Sequence, residues 1–172
     1  MDLDGDGIKD IVSGSWPGEI FLFRGKPDGS YGPPEKLRDK EGHIINVGGA
    51  IREDADSITI TGDAGPCVAD WDGDGLLDLI VGCGDGSVIF YRNSGTAREP
   101  KLDEGQILIA AGAIEYDSEK IPKTPTRGVR AKVCVVDYNG DGLPDLLVGD
   151  LSNQKPNKPA PTMFQKATAT KK

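Results

Sequence analysis

Apolar residues in this chain come in short runs, and each run is bounded by Gly, Pro or Asp. The clearest are residues 11–14 (IVSG), 19–24 (EIFLFR), 66–69 (PCVA), 79–82 (LIVG), 87–92 (SVIFYR), 132–136 (KVCVV) and 146–149 (LLVG). They are rich in β-branched and aromatic side chains, and none reaches the length at which a helical period would show, so they predict strands. Pro17-Gly18 and Asp85-Gly86 each separate two runs and predict tight hairpin turns.

The runs recur in a fixed order around a repeated nine-residue phrase. It stands at residues 2–10 (DLDGDGIKD), 70–78 (DWDGDGLLD) and 137–145 (DYNGDGLPD), with starts 68 and 67 residues apart. One supersecondary unit per period is the signature of a repeat architecture. Further matches extend the unit: residues 34–37 (PEKL) answer 99–102 (EPKL), and Ile44-Ile45 answers Ile107-Leu108 as an outer strand. The unit is therefore strand, Asp loop, strand, tight turn, strand, irregular connection, outer strand. Four antiparallel strands per unit describe a β-propeller blade. The predicted fold is all-β, a partial propeller of about two and a half blades, with units at 1–63, 64–129 and a partial one at 130–150. A ring needs about four to eight blades, so the expectation is a segment completed by the remaining blades of a parent chain or by association with other chains. Residues 57–61 (SITIT) alternate and suggest an extra strand, and residues 151–172, rich in Lys and Pro and free of acids, read as a disordered tail.

Composition agrees with this picture. Gly (24) and Pro (12) make up about a fifth of the 172 residues, which argues for turns and against a helical bundle. The formal charge of −8 is unevenly placed: the three phrases hold 11 of the 28 acidic residues, leaving 17 acids against 20 bases elsewhere. So acidic a chain is a poor nucleic-acid binder, and no apolar run approaches the roughly 20 residues of a membrane span.

The phrase itself points to a metal. In residues 70–78, Asp70, Asp72 and Asp74 at positions one, three and five turn three carboxylates to one side of a tight loop. Gly73 and Gly75 allow the bend, and the carbonyl of Leu76 and the carboxylate of Asp78 can complete an all-oxygen cage. Without a cation, such crowded carboxylates repel one another. A flexible, highly charged oxygen cage suits Ca²⁺ better than Mg²⁺, and the absence of Cys and His from the loops disfavours zinc and copper. Up to three Ca²⁺ ions are expected. The third is expected to bind most weakly, because Asn139 replaces an acid at position three. An EF-hand is excluded, since position twelve holds Ser13, Val81 or Val148 where Glu is required.

Three DxDGDGxxD-type loops, each running into a short strand that ends in Gly, resemble the FG-GAP/VCBS repeat family of calcium-bearing propeller blades, over residues 1 to about 150. The resemblance implies that the loop joins the first two strands of a blade. It places ligands on Asp2, Asp4, Asp6 and Asp10, on Asp70, Asp72, Asp74 and Asp78, and on Asp137, Asn139, Asp141 and Asp145, to which the loop positions add the carbonyls of Ile8, Leu76 and Leu143. It further implies a non-enzymatic binding or adhesion scaffold that presents a propeller face to a glycan or protein ligand. A minority role in the family, as part of a carbohydrate-active or redox enzyme, is the alternative. An extracellular or periplasmic setting is expected, where millimolar Ca²⁺ fills weak sites.

Other residues carry less. His43, the sole histidine, lies in a polar stretch and reads as a surface residue. Cys67 and Cys134 share one blade position and read as small buried strand residues, while a Cys67–Cys83 bridge would join neighbouring strands. Trp16 and Trp71 fit either sugar stacking or packing between blades, the latter being the commoner use. Lys120, Lys123, Arg127, Arg130 and Lys132 fit either a groove for a phosphate or acidic glycan or, as the charge run favours, a solvated connection.

Overall fold

The computed structural model describes residues 1–48, 62–124 and 126–155. Among these, all regular structure is β: nine strands form three antiparallel sheets. Strands β1 (Ile11–Gly14), β2 (Ile20–Phe23) and β3 (Glu35–Lys36) make the first, in that order. The second orders β4 (Gly65–Ala69), β5 (Asp78–Gly82), β6 (Val88–Tyr91) and β7 (Gln106–Ile109). The third pairs β8 (Val129–Val136) with β9 (Asp145–Leu151). Sheets one and two touch through β1 and β4, and sheets two and three through β4, β5 and β8. The stack is not closed into a ring among the described residues, as expected of partial propeller blades.

Each predicted strand next to an Asp loop is present: the second loop joins β4 to β5 and the third β8 to β9, while the first leads into β1. The tight turns close as expected, with Gly18 N–H donating to Ser15 and Gly86 N–H donating to Cys83. The outer strand predicted at Ile44-Ile45 is corrected: only isolated bridges, Arg38 to Ile44 and Glu19 to Asn46, stand there. The reason lies in the preceding segment. In the first unit Glu35 and Lys36 pair with Leu22 and Phe21 and fill the edge of β2. In the second, the matching segment makes only isolated bridges at Leu102, to Asn93 and to Asp39 of the first unit, leaving the edge of β6 free for β7. The segment at 57–61 lies outside the described residues. Of the tail, residues 151–155 are structured: Asn153 donates to the Glu115 carbonyl and Lys155 N–H to that of Pro122.

Alternation along the middle sheet builds two cores. Leu79, Val81 and Tyr91 face the first sheet and pack with Ile20 and Ile45, whereas Ile80, Val88 and Phe90 face the third and pack with Ala131 and, at the margin, Val133 and Leu146. Strand β5 is therefore buried along its whole length, while β1 is half-exposed and β9, on the outermost sheet, is mostly exposed. Where the sheets approach most closely there is glycine. A Cβ on Gly14 would lie 2.2 Å from the Ala64 carbonyl oxygen, and one on Gly82 would lie 2.4 Å from that of Ala131. The equivalent Gly149 has nothing within 4 Å.

The three thiols are free. Cys67 and Cys134 do share a register position, opposite Ile80 and Leu147. The expectation of burial is corrected for both: Cys67 is half-buried, and Cys134 is exposed because no further sheet covers the third one among the described residues. Cys83 is buried, which pushes its thiol up to about 11. A thiol-specific reagent at neutral pH is expected to label Cys134 at once, Cys67 slowly and Cys83 only in denaturant. Rapid native labelling of Cys83 would contradict this packing.

Candidate metal centre

Each Asp loop is folded by its own carboxylates. The aspartate at position one spans the bend: Asp2 accepts from the amides of Asp6 (3.1 Å) and Gly7 (2.9 Å), Asp70 from Gly73 and Gly75 (both 2.9 Å), and Asp137 from Gly140 (2.7 Å) and Gly142 (2.9 Å). The glycines at positions four and six all have φ between +67° and +89°, a region that L side chains rarely occupy. At position five, Asp6, Asp74 and Asp141 accept from the amides of Ile8, Leu76 and Leu143 at 2.7–2.9 Å, which draws position seven back over the loop.

The aspartate at position nine ties the loop to the sheet. Asp10 accepts from the amides of Leu3 and Gly25 (both 2.9 Å), and Asp78 from those of Trp71 (2.9 Å) and Asn93 (2.7 Å). Gly25 and Asn93 lie just beyond β2 and β6, so these carboxylates staple the loop to the end of a neighbouring strand. Both are buried, Asp78 completely. Asp145 is half-buried and accepts from Tyr138 and, more weakly, Asn139. Burial raises the carboxyl pKa of Asp78; the two amides oppose the rise, and the charges of Asp72 and Asp74 add to it.

Carboxylate oxygens of Asp2, Asp4 and Asp6 lie within 4.8 Å of one another, as do those of Asp70, Asp72 and Asp78. Either group can hold a metal ion. The third loop has no such trio: the Asn139 amide donates to Asp141 instead (3.1 Å). The donor set fits a hard cation, since it is all oxygen and one oxygen of Asp4 is buried without a hydrogen-bond partner.

Two residues that sequence reasoning passed over reach into these sites. Arg24, next after β2, is ion-paired with Asp4 and lies 3.4 Å from Glu35. Arg92, next after β6, bridges two ligand candidates, with Nε 2.5 Å from Asp72 and a terminal nitrogen 2.9 Å from Asp74. The hydrogen bond and charge of Asp72, followed by those of Asp74, hold the Arg92 pKa above its ordinary value. The signal was present in the repeat, where both arginines close the matching phrases EIFLFR and SVIFYR, but it read as a strand end.

The remaining candidates are structural or local. His43 is exposed and contacts Asp39 at 3.0 Å, in a surface trio with Glu41. Trp71 packs into the core between sheets two and three. Trp16 is 59% exposed and carries the Arg130 guanidinium 5.3 Å from its ring centre. Of the basic residues of the second connection, Lys120 pairs with Asp117, Arg127 donates to the carbonyls of Ala110 and Ala111, and Arg130 and Lys132 share Asp63.

Repeated antiparallel blades, each entered through a carboxylate loop, define a propeller-type repeat scaffold. The family model for the FG-GAP-like repeat matches residues 2–81 and again 70–148. Together the matches span most of the chain, and the protein belongs to the FG-GAP-like repeat family. Repeats of this family are generally non-catalytic scaffolds and are typical of extracellular proteins. No curated protein and no solved structure matches the chain.

Proposed function

We propose that this chain is a calcium-stabilised propeller segment, built of units at 1–63, 64–129 and 130–150, that serves outside the cytoplasm as a non-catalytic binding or adhesion scaffold for a glycan or protein. The observation that carries the calcium reading is the convergence of Asp2, Asp4 and Asp6, and of Asp70, Asp72 and Asp78, in loops whose donors are all oxygen. The proposed ligands are those of the three phrases, with the carbonyls of Ile8, Leu76 and Leu143 and the side chain of Asn139 completing the sets. A bound ion would supply the positive charge that clustered carboxylates lack, cross-linking each loop and coupling metal uptake to folding. The second and third loops lie between the first two strands of a unit and the first leads into β1, so their order would fix how each blade begins and leave the propeller face to bind.

Thermal melts in millimolar calcium and in chelator test this directly. A site filled to a hundredfold excess over its dissociation constant stabilises the fold by about 2.7 kcal/mol. For a domain of this size, that is a rise in Tm of roughly 5–10 °C. Calorimetric titration should resolve two tighter sites and one weaker site, the weaker being lost in Asp137→Ala. An unchanged Tm would overturn the calcium reading.

A further inference from the structure

The arginines at the strand ends bear on how an ion enters the loops, an inference that rests on the metal reading above. A salt bridge on a protein surface is ordinarily worth little, but these two have features that an incidental pair lacks. They occupy the same position in two repeats, each next after the strand that follows the tight turn, and each reaches back 18–20 residues to its own loop. Arg92 uses two nitrogens to bridge the carboxylates at positions three and five, the planar fork geometry that Arg offers and Lys does not. Arg24 takes one oxygen of Asp4, whose other oxygen is left without a partner. The third loop makes no such pair among the described residues, and there Asp141 pairs with the neutral Asn139 amide.

We infer that Arg24 and Arg92 are built-in counter-cations: they hold the carboxylates of the first two loops when no ion is bound, and a divalent ion must displace them to bind. A guanidinium bonded to Asp72 and Asp74 occupies oxygens that a bound ion needs. Uptake is then an exchange of one cation for another. The metal-free loop stays folded rather than bursting under its own charge, and calcium binds more weakly than the carboxylate count alone would give. Exchange also frees the guanidinium, so an acidic partner would meet an available arginine beside loops one and two only in the calcium-loaded protein.

The test uses the full chain with Trp16→Phe as background, leaving Trp71, at position two of the second loop, as a local fluorescence reporter. In Arg92→Met, calcium should bind the second loop about tenfold more tightly than in the parent, and Tm in chelator should fall. Arg92→Lys keeps the charge but cannot bridge both carboxylates, and should bind calcium with intermediate affinity. The Arg92 Nε–H resonance, held in an ion pair in chelator, should shift or exchange away on saturation with calcium, which a merely long-range charge effect would not produce. Equal calcium affinity in all three proteins, or an Nε–H signal indifferent to calcium, overturns the displacement and leaves the metal reading intact. Failure of the parent and both variants to take up calcium overturns both.

Discussion

Alanine in place of Gly82 is expected to destabilise the protein by about 3 kcal/mol, the upper end of what overpacking costs. The new Cβ would fall 2.4 Å from the carbonyl oxygen of Ala131 and 2.7 Å from its carbonyl carbon, and backbone atoms of a packed strand have no rotamer by which to retreat. The two sheets would have to separate along the core that holds Ile80, Val88 and Phe90 against Ala131. Gly14→Ala should behave alike, meeting the Ala64 carbonyl. Gly149 ends the same phrase in the third unit but faces open space, and its replacement by alanine should be neutral or stabilising by up to about 1 kcal/mol through the unfolded chain. Urea unfolding of the three variants decides the matter. Similar losses at Gly82 and Gly149 would mean that the glycine serves the strand rather than the contact between sheets.

Asp78→Ala should be comparably damaging, by about 3 kcal/mol, and should remain so in chelator. Its carboxylate satisfies the Trp71 and Asn93 amides, and each buried donor left unpaired costs about 1–3 kcal/mol. The loss would spread, because Asn93 is itself a buried node: its side chain accepts from the amides of Gly95 and Lys101 and donates to the Leu77 carbonyl. Asp145→Ala, at a half-buried position among exposed amides, should cost about 1 kcal/mol. Denaturant curves in excess chelator check this. An Asp78 variant that loses stability only when calcium is present would make the residue a ligand and little else.

Much of this arrangement was legible in the sequence because its causes are local. An Asp-Gly loop sets its own bend through side-chain-to-amide bonds within five residues, and strands of four or five apolar residues declare themselves between such loops. Relations across the sheet were less legible. Asp10 and Asp78 read as loop residues, yet half of their bonding goes to an amide 15 residues away. Arg24 and Arg92 were visible as repeated letters, but only pairing of the strands brings them over the loops. The outer edge of the first unit differed from the second because Glu35 and Lys36 compete for the same strand edge, a contest between segments that no run of residues reveals alone. The glycine closing each strand was likewise visible, but its purpose depends on the neighbouring sheet.

That glycine has a geometric consequence. The first two sheets meet backbone to backbone at Gly14, and their units meet again farther out, where the Lys40 amide donates to the Leu102 carbonyl (2.7 Å); between these points they are spaced by Ile20, Ile45 and Tyr91. The space between the two sheets is therefore pinned by backbone at two places and opened by side-chain volume between them. Bulkier residues at Ile20, Ile45 or Tyr91 would strain both pins, so the turn from one blade to the next is held by backbone contacts rather than by side-chain volume alone.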